Sequence, residues 1–315
     1  YKGRFMRIIR GTKNITGPIA YPVMAIGNFD GVHVGHQTLF RKTAELATAN
    51  EGTPIAFTFE PHPLKIIAPE KVPPLLTHFK KKMELIESFG VSLVICADFT
   101  RQFADQRPRD FSKNILFEKI GVKEIVVGFD YAFGRGREGT IPYLKKMGEE
   151  FGFRVHVVEP FKLNGHTVSS SHVRELIEAG QVEMASQFLG RDYSILGPVI
   201  SGYKTGQAIG FPTANIDTSK VQIPGTGVYA VRVVYENNSY DAVANIGFNP
   251  TFHRDRLSVE VHIFDFNQVI YSHEIEVQFV ARIRSEIEFK SADDLVVQIN
   301  QDIEKTKKIL LEKKI

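Results

Sequence analysis

The chain carries one cysteine in 315 residues, so it can form no internal disulfide. Cys96 lies in the apolar run Val91-Ser-Leu-Val-Ile95 and is expected to be a small core hydrophobe. Charge of one sign is also scarce. The net charge of +3 falls far short of the basic footprint that a nucleic-acid partner requires, and none is expected. No run approaches the roughly 18 apolar residues of a membrane span. The basic N-terminal stretch lacks the apolar core of a secretory signal, so a cytoplasmic location is expected. What remains is ordinary for a soluble globular protein, with 43% apolar and 24% charged residues. The length leaves room for two domains.

The most informative stretch is Val23-Met-Ala-Ile-Gly-Asn-Phe-Asp-Gly-Val-His-Val-Gly-His36. Val23–Ile26 reads as a buried strand, and Gly27, Asn28, Asp30 and Gly31 supply a tight turn. Leu39, Phe40, Ala44 and Leu46-Ala47 then recur at helical spacing. His33 and His36 therefore sit where a strand hands over to a helix. The first N–H groups of a helix are unpaired and favour anions, imidazoles add donors, and Gly35 leaves the backbone open to approach. This pattern suits a nucleotide's phosphates. A metal site is the competing reading, but carboxylate or thiolate partners are not evident nearby.

The first half alternates strand signals (23–27, 54–59, 91–97, 124–130, 154–158) with helix signals (36–49, 79–89, 109–120, 141–151, 172–179). Alternation of this kind predicts a doubly wound parallel sheet of α/β class, with ligands outside the C-terminal ends of the strands. After Gly180 the texture changes to β-branched runs at Gly227–Tyr235, Tyr240–Ile246, Ser258–Phe266 and Ile275–Arg282, with a hairpin turn predicted at Asn237-Asn238. These predict a small antiparallel barrel. Leu295, Ile299, Ile303, Ile309 and Leu310 mark an amphipathic C-terminal helix. The composition shift puts the boundary between domains 1–184 and 185–315.

Further candidates cluster after strand ends. In Ser169-Ser-Ser-His-Val-Arg174, a cap at Ser171 would make Arg174 the third helical residue, where a cation opposes the helix dipole unless a phosphate is bound. Ser170, Ser171 and Arg174 are thus read as a second phosphate-holding group. Gly134, Gly136 and Gly139 match the dinucleotide-binding glycine pattern, but they lie beyond the strand end among arginines, and a loop presenting Asp130 is the simpler reading. His62 lies between Pro61 and Pro63 and is expected to be held in place. Gly202, Gly206 and Gly210 form a glycine loop without the lysine of a P-loop. Thr213 and Asn215 stand two apart, so an extended segment would face both oxygens one way, which suits Mg²⁺ beside phosphates. In Ser258–Phe264 the alternation puts Glu260 on the polar face, where a carboxylate could act as general base.

Taken together, these residues resemble the bacterial bifunctional riboflavin kinase/FAD synthetase family over nearly the whole chain. The motifs that carry the resemblance are Gly27–His36, Phe59-Glu-Pro-His-Pro63, Gly128–Gly134, Ser169–Arg174, Gly210-Phe-Pro-Thr-Ala-Asn215, Ala244–Phe252 and Val259–Phe266. The resemblance implies a nucleotidyltransferase-like Rossmann-type domain followed by a six-stranded antiparallel barrel. It implies that the barrel phosphorylates riboflavin with ATP and that the first domain adenylylates FMN to FAD with release of pyrophosphate, both with Mg²⁺. It assigns Gly27, Asn28, His33, Gly35, His36, Ser170, Ser171 and Arg174 to ATP phosphates, His33 and His36 carrying catalysis of the adenylyl transfer. Asp130 and His62 go to the flavin, Gly202 and Gly206 to ATP in the kinase, Thr213 and Asn215 to the metal, and Glu260 to the kinase base. The expected partners are riboflavin, FMN, FAD and ATP, the chain being a monomer or weak homo-oligomer.

Three positions depart from the family pattern. Ser171 stands where Thr is usual, and Gln207 and Asn249 stand where Arg is common. The last two motivate a second reading, a flavin- or nucleotide-binding regulator with weakened kinase activity. A third, a class I aminoacyl-tRNA synthetase-like protein suggested by His33-x-Gly-His36, is opposed by Lys80-Lys-Lys-Met83, a poor and misplaced match to that family's second signature.

Overall fold

A computed structural model describes residues 6–201, 209–219, 221–248 and 257–313. The chain divides into two compact units. One comprises residues to Pro73 and Phe79–Val168; the other comprises Pro74–His78 and residues from Ser169 onward.

The first unit is built on a six-stranded sheet of β1 (Arg7–Arg10), β2 (Pro22–Ile26), β3 (Thr53–Glu60), β4 (Leu93–Asp98), β5 (Glu124–Gly128) and β6 (Arg154–Val158) in the order β1-β4-β3-β2-β5-β6. Every pairing is parallel. The central strands are apolar on both faces because each face is covered. One core gathers Met24, Ile55, Phe57, Ile95, Phe111 and Ile125; the other gathers Val23, Phe40, Ala56, Ile86, Val94 and Val126. The helices are α1 (Val34–Ala49), α2 (Leu64–Ile67), α3 (Phe79–Ser88), α4 (Arg101–Ala104), α5 (Pro108–Asp110) and α6 (Ile141–Phe151). Residues Phe111–Ile120 continue α5 as a π-wound turn sequence. The chain leaves β2 toward β3 on one side and returns to β5 on the other. The strand order thus reverses at β2, and the crevice beyond its C-terminal end is where such sheets bind ligands.

All five predicted strands and all five predicted helices of this half are present, with ends displaced by a few residues. The edge strand β1 and the short hairpin of β7 (Lys162–Leu163) and β8 (His166–Thr167) were not foreseen. Four residues are too few for a period to show in Arg7–Arg10, whose strand state comes from pairing with β4.

The second unit opens with α7 (Ser170–Glu178) and α8 (Val182–Leu189). It continues into a closed antiparallel barrel in the order β10-β13-β12-β11-β14-β9, comprising β9 (Tyr193–Ile200), β10 (Ala214–Ile216), β11 (Gly227–Tyr235), β12 (Asn238–Phe248), β13 (Leu257–Ile263) and β14 (Glu274–Arg284). Closure leaves no sheet edge. The predicted turn is one residue off. Tyr235 pairs with Asn238, so the two-residue loop is Glu236-Asn237, both at positive φ (47° and 64°), as the twist of a tight hairpin demands.

The C-terminal helix α9 (Ala292–Glu312) lays Ile303, Ile309 and Leu310 on Val228, Ala230, Val243 and Val280. The same seam holds Asp302, whose carboxylate accepts from Arg284 Nη2 at 2.8 Å and from Gln298 Nε2 at 3.0 Å. Removing one partner would leave a charge unpaired in a largely buried seam. Asp302→Ala is therefore expected to loosen the helix from the barrel by about 3 kcal/mol. Faster amide exchange in β14 and α9 would register the loss.

Candidate active sites

In the first unit the strand-to-helix junction is a strained turn. Phe29, Gly31 and Val32 all take positive φ (55°, 84° and 42°). For a β-branched residue such as Val32 this is costly. The turn is pinned by Val32 N–H to the Phe29 carbonyl (3.3 Å) and by Gln37 Nε2 to the Val32 carbonyl (3.0 Å). Gly27 is required sterically, since a Cβ there would stand 2.7 Å from the Phe29 ring.

His33 caps α1. Its Nδ1 accepts from the His36 backbone N–H at 3.3 Å, so in neutral His33 the proton is on Nε2. The two imidazoles stack, with centroids 3.6 Å apart and planes 17° from parallel. Gly35 makes room for this, because a Cβ would meet the His33 ring at 3.2 Å. His36 also receives the edge of Phe29 at 5.4 Å. Burial, then the neighbouring His33 and Lys82, hold its imidazole well below the ordinary value of 6.5. Its Nδ1 is buried and meets no partner among the described residues. A ring nitrogen left without a partner at a helix start can donate to an acceptor oxygen of an anion in the tautomer that protonates it.

The neighbouring strand ends add the other candidates. His62 follows β3 and a cis Glu60–Pro61 bond, and its Nδ1 accepts from Leu64 N–H at 3.2 Å. Asp130 follows β5 and is exposed, with its carbonyl accepting from Arg137 at 3.3 Å. Two of the glycines beyond it, Gly134 and Gly139, serve packing, and Gly136 takes a positive φ of 59° in open space. A Cβ on Gly134 would meet Pro108 at 2.8 Å, and one on Gly139 would meet Phe133 at 2.7 Å. Lys80–Met83 lies within α3.

In the second unit the cap of α7 is Ser169, which accepts from His172 N–H at 3.2 Å, and not Ser171. Ser170 and Ser171 are the first two helical residues, and Arg174 is the fifth. The dipole argument for Arg174 therefore loses its force, since that effect fades within the first turn. Arg174 Nε donates to the Pro74 carbonyl at 2.9 Å.

On the barrel, β13 sets Glu260 opposite Asn215 of β10 on one side and opposite Asn245 of β12 on the other. Opposed residues in neighbouring strands share a face, so a carboxylate stands in a row between two carboxamides. Val259, Val261 and Ile263 fill the opposite face, as the alternation predicted. Burial pushes the Glu260 carboxyl above the usual carboxylate range. His262 donates from Nδ1 to the Pro212 carbonyl at 2.8 Å and takes the edge of Phe211 at 5.7 Å, anchoring the segment that carries Thr213 into β10. Gly202, Gly206, Gln207 and Asn249 lie outside the described residues.

Three residues escaped the sequence reading. Asn245 was seen only as part of a motif, because its relation to Glu260 is a matter of register. The Thr58 hydroxyl donates to the Asn28 carbonyl at 3.1 Å across 30 positions. Lys82 enters the sequence reading only within Lys80–Met83, as a poor match to a synthetase signature. Its signal was present, since Phe79, Lys82, Met83 and Ile86 share one helical face and a lysine on that face is anomalous.

A doubly wound parallel sheet whose strand order reverses before α1, followed by a closed antiparallel barrel with a carboxylate between two amides, places the chain in a class of two-domain proteins that join an α/β nucleotide-binding type of fold to a small barrel. Comparison with known proteins makes this specific. Residues 20–172 match the FAD synthetase family model and residues 189–310 the riboflavin kinase family model. The bifunctional riboflavin kinase/FMN adenylyltransferase of Buchnera aphidicola subsp. Acyrthosiphon pisum is 38% identical over 301 residues, 95% of this chain and 96% of its own length. That of Escherichia coli K12 is 37% identical, covering 94% and 96%. A crystal structure of a Streptococcus pneumoniae protein named a macrolide-efflux protein is 33% identical, covers 96% of this chain and 99% of its own, and superposes with a TM-score of 0.86. Among the described residues here, no helix is long and apolar enough to cross a membrane. The chain belongs to the bifunctional riboflavin kinase/FMN adenylyltransferase family.

Proposed function

We propose that this chain carries out both reactions of its family: ATP-dependent phosphorylation of riboflavin to FMN in residues 185–315, and adenylylation of FMN to FAD in residues 1–184. The observation that supports the first domain's role most directly is the orphaned Nδ1 of His36 in the stacked pair at the start of α1. In adenylyl transfer an FMN phosphate oxygen attacks the α-phosphorus of ATP. A new P–O–P bond forms while the bond to the β-phosphate breaks and pyrophosphate leaves. The nucleophile is already an anion, so no base is needed and catalysis is electrostatic. Gly27, Asn28, Gly35, His33 and His36 receive the phosphates. Ser170, Ser171 and Arg174 are a second set of phosphate ligands, and Asp130 and His62 contact the flavin.

In the kinase reaction the terminal hydroxyl of riboflavin's ribityl chain attacks the γ-phosphorus, and ADP leaves. Glu260 takes the hydroxyl proton. An amide oxygen (Asn215) opposite the Glu260 carboxylate, with the Thr213 hydroxyl two residues before it in the same segment, is a set of hard oxygen donors of the kind that fits Mg²⁺. Mg²⁺ there would neutralise charge on the ATP phosphates. Gly202 and Gly206 are assigned to those phosphates. The protein acts in the cytoplasm as a monomer or weak homo-oligomer.

Chromatography of products from riboflavin, ATP and Mg²⁺ tests the whole reading, with FMN expected first and FAD after it. Absence of both would overturn it, and FMN without FAD would overturn its first-domain half. Asn215→Ala is expected to lower riboflavin phosphorylation about 100-fold and to raise the Mg²⁺ concentration required. Adenylylation of supplied FMN should continue at the wild-type rate.

A further inference from the structure

We propose that Lys82 is a positioning residue for adenylyl transfer, its ammonium clamping the Asn28 carbonyl and so holding the strained turn that presents His33 and His36. This rests on the reading of the first unit as the adenylylation domain. Lys82 is only 6% exposed, an unusual place for a lysine. It projects from the apolar face of α3, between Phe79 and Ile86 in helical phase. Its Nζ donates to the Asn28 carbonyl at 3.3 Å and lies 5.8 Å from the Phe79 ring centroid. The Thr58 hydroxyl donates to the same carbonyl at 3.1 Å.

A carbonyl gripped from α3 and from β3 at once fixes the entry to a turn whose next residues include three at positive φ. Strain of this kind, roughly 1–3 kcal/mol per residue, persists only where surrounding contacts over-determine it. A neutral core residue at 82 would satisfy packing without gripping Asn28. The acidic and thiol groups facing the ammonium are Asp30, Glu60 and Cys96. Burial pulls the Lys82 ammonium below its ordinary value, and these three groups oppose that. Its charge also bears on His36, together with His33. Lys82 thus acts on the imidazole pair in two ways, by shaping the turn and by making a positive His36 costly until phosphates arrive.

The test uses the full chain with FMN, ATP and Mg²⁺, and riboflavin phosphorylation as the internal control. K82M keeps the stem and removes the grip, K82R keeps a charged donor, and T58V removes the second clamp at nearly constant shape. Adenylylation kcat is expected to fall about 10- to 100-fold in K82M, with partial recovery in K82R and an intermediate loss in T58V. The His36 ring, followed by NMR, should titrate at higher pH in K82M than in wild type. Wild-type adenylylation in K82M would overturn the proposal. So would a loss that K82R does not relieve and that comes with collapsed exchange protection across β2–β4, since that marks a merely structural lysine. If the wild-type chain makes no FAD from FMN, the parent reading fails instead.

Discussion

His36→Ala is expected to stop the protein at FMN. Riboflavin should be consumed at the wild-type rate, FMN should accumulate, and FAD formation should fall by about 100- to 1,000-fold, the usual cost of losing one preorganised donor to a developing oxyanion. The expectation follows from the chemistry of the step. With an anionic nucleophile, rate depends on how well charge on the α-phosphate and the leaving pyrophosphate is met. The His36 Nδ1 is buried at the start of α1 with no partner among the described residues, so its removal is expected to leave that charge unmet. His36→Gln, which restores a donor of similar reach, should recover part of the loss. A pH signature accompanies it. Folding holds the His36 imidazole below its ordinary 6.5, so the unfolded chain binds the proton more tightly. Stability of the first unit should therefore fall as pH drops below about 6.5, and His36→Ala should flatten that dependence. If His36→Ala lost riboflavin phosphorylation instead, the division of labour proposed for the two units would be wrong.

Much of the fold and of the candidate site is legible in the sequence, for particular reasons. The central strands are buried on both faces, so Val23–Ile26 and Ile125–Val127 announce themselves as continuous apolar runs. Glu260 was legible because a half-buried strand alternates with period two, which sorts it from Val259 and Val261 without knowing its partners. What stayed hidden depended on contacts far apart in sequence. The cap of α7 could have been any of three serines; the choice of Ser169 is made by backbone geometry, and with it goes the helix-dipole case for Arg174. The cross-strand row Asn215–Glu260–Asn245 exists only through barrel register. The Lys82–Asn28–Thr58 clamp joins residues 54 and 30 positions apart. Gly35 shows a subtler gap. The sequence suggests a glycine there for a ligand's approach, and the structure adds a neighbour's demand, since the His33 ring occupies the space a Cβ would need.

Glu260→Ala is expected to produce the opposite phenotype to His36→Ala: nothing from riboflavin, yet FAD at the wild-type rate from supplied FMN. A hydroxyl is a poor nucleophile until its proton is taken, so the kinase step needs a base where adenylyl transfer does not. Loss of a positioned base costs roughly 100- to 10,000-fold. Glu260→Gln is the sharper variant, because it preserves the shape of the side chain in the row between Asn215 and Asn245 while removing the proton-accepting charge. It should be nearly as inactive as the alanine. If glutamine retained substantial activity, Glu260 would be an orienting residue and the base would lie elsewhere. The pH profile discriminates further. Burial raises the Glu260 carboxyl above its ordinary value of 4.5, so its base form disappears at a higher pH than an exposed carboxylate's would. The acid limb of riboflavin phosphorylation should be displaced upward accordingly, while adenylylation of FMN, which uses no such base, should show no matching limb. A mixture of the two single variants restores the full sequence from riboflavin to FAD if FMN leaves one molecule and enters another. That complementation should be slower than wild type only by the dilution of FMN into solution.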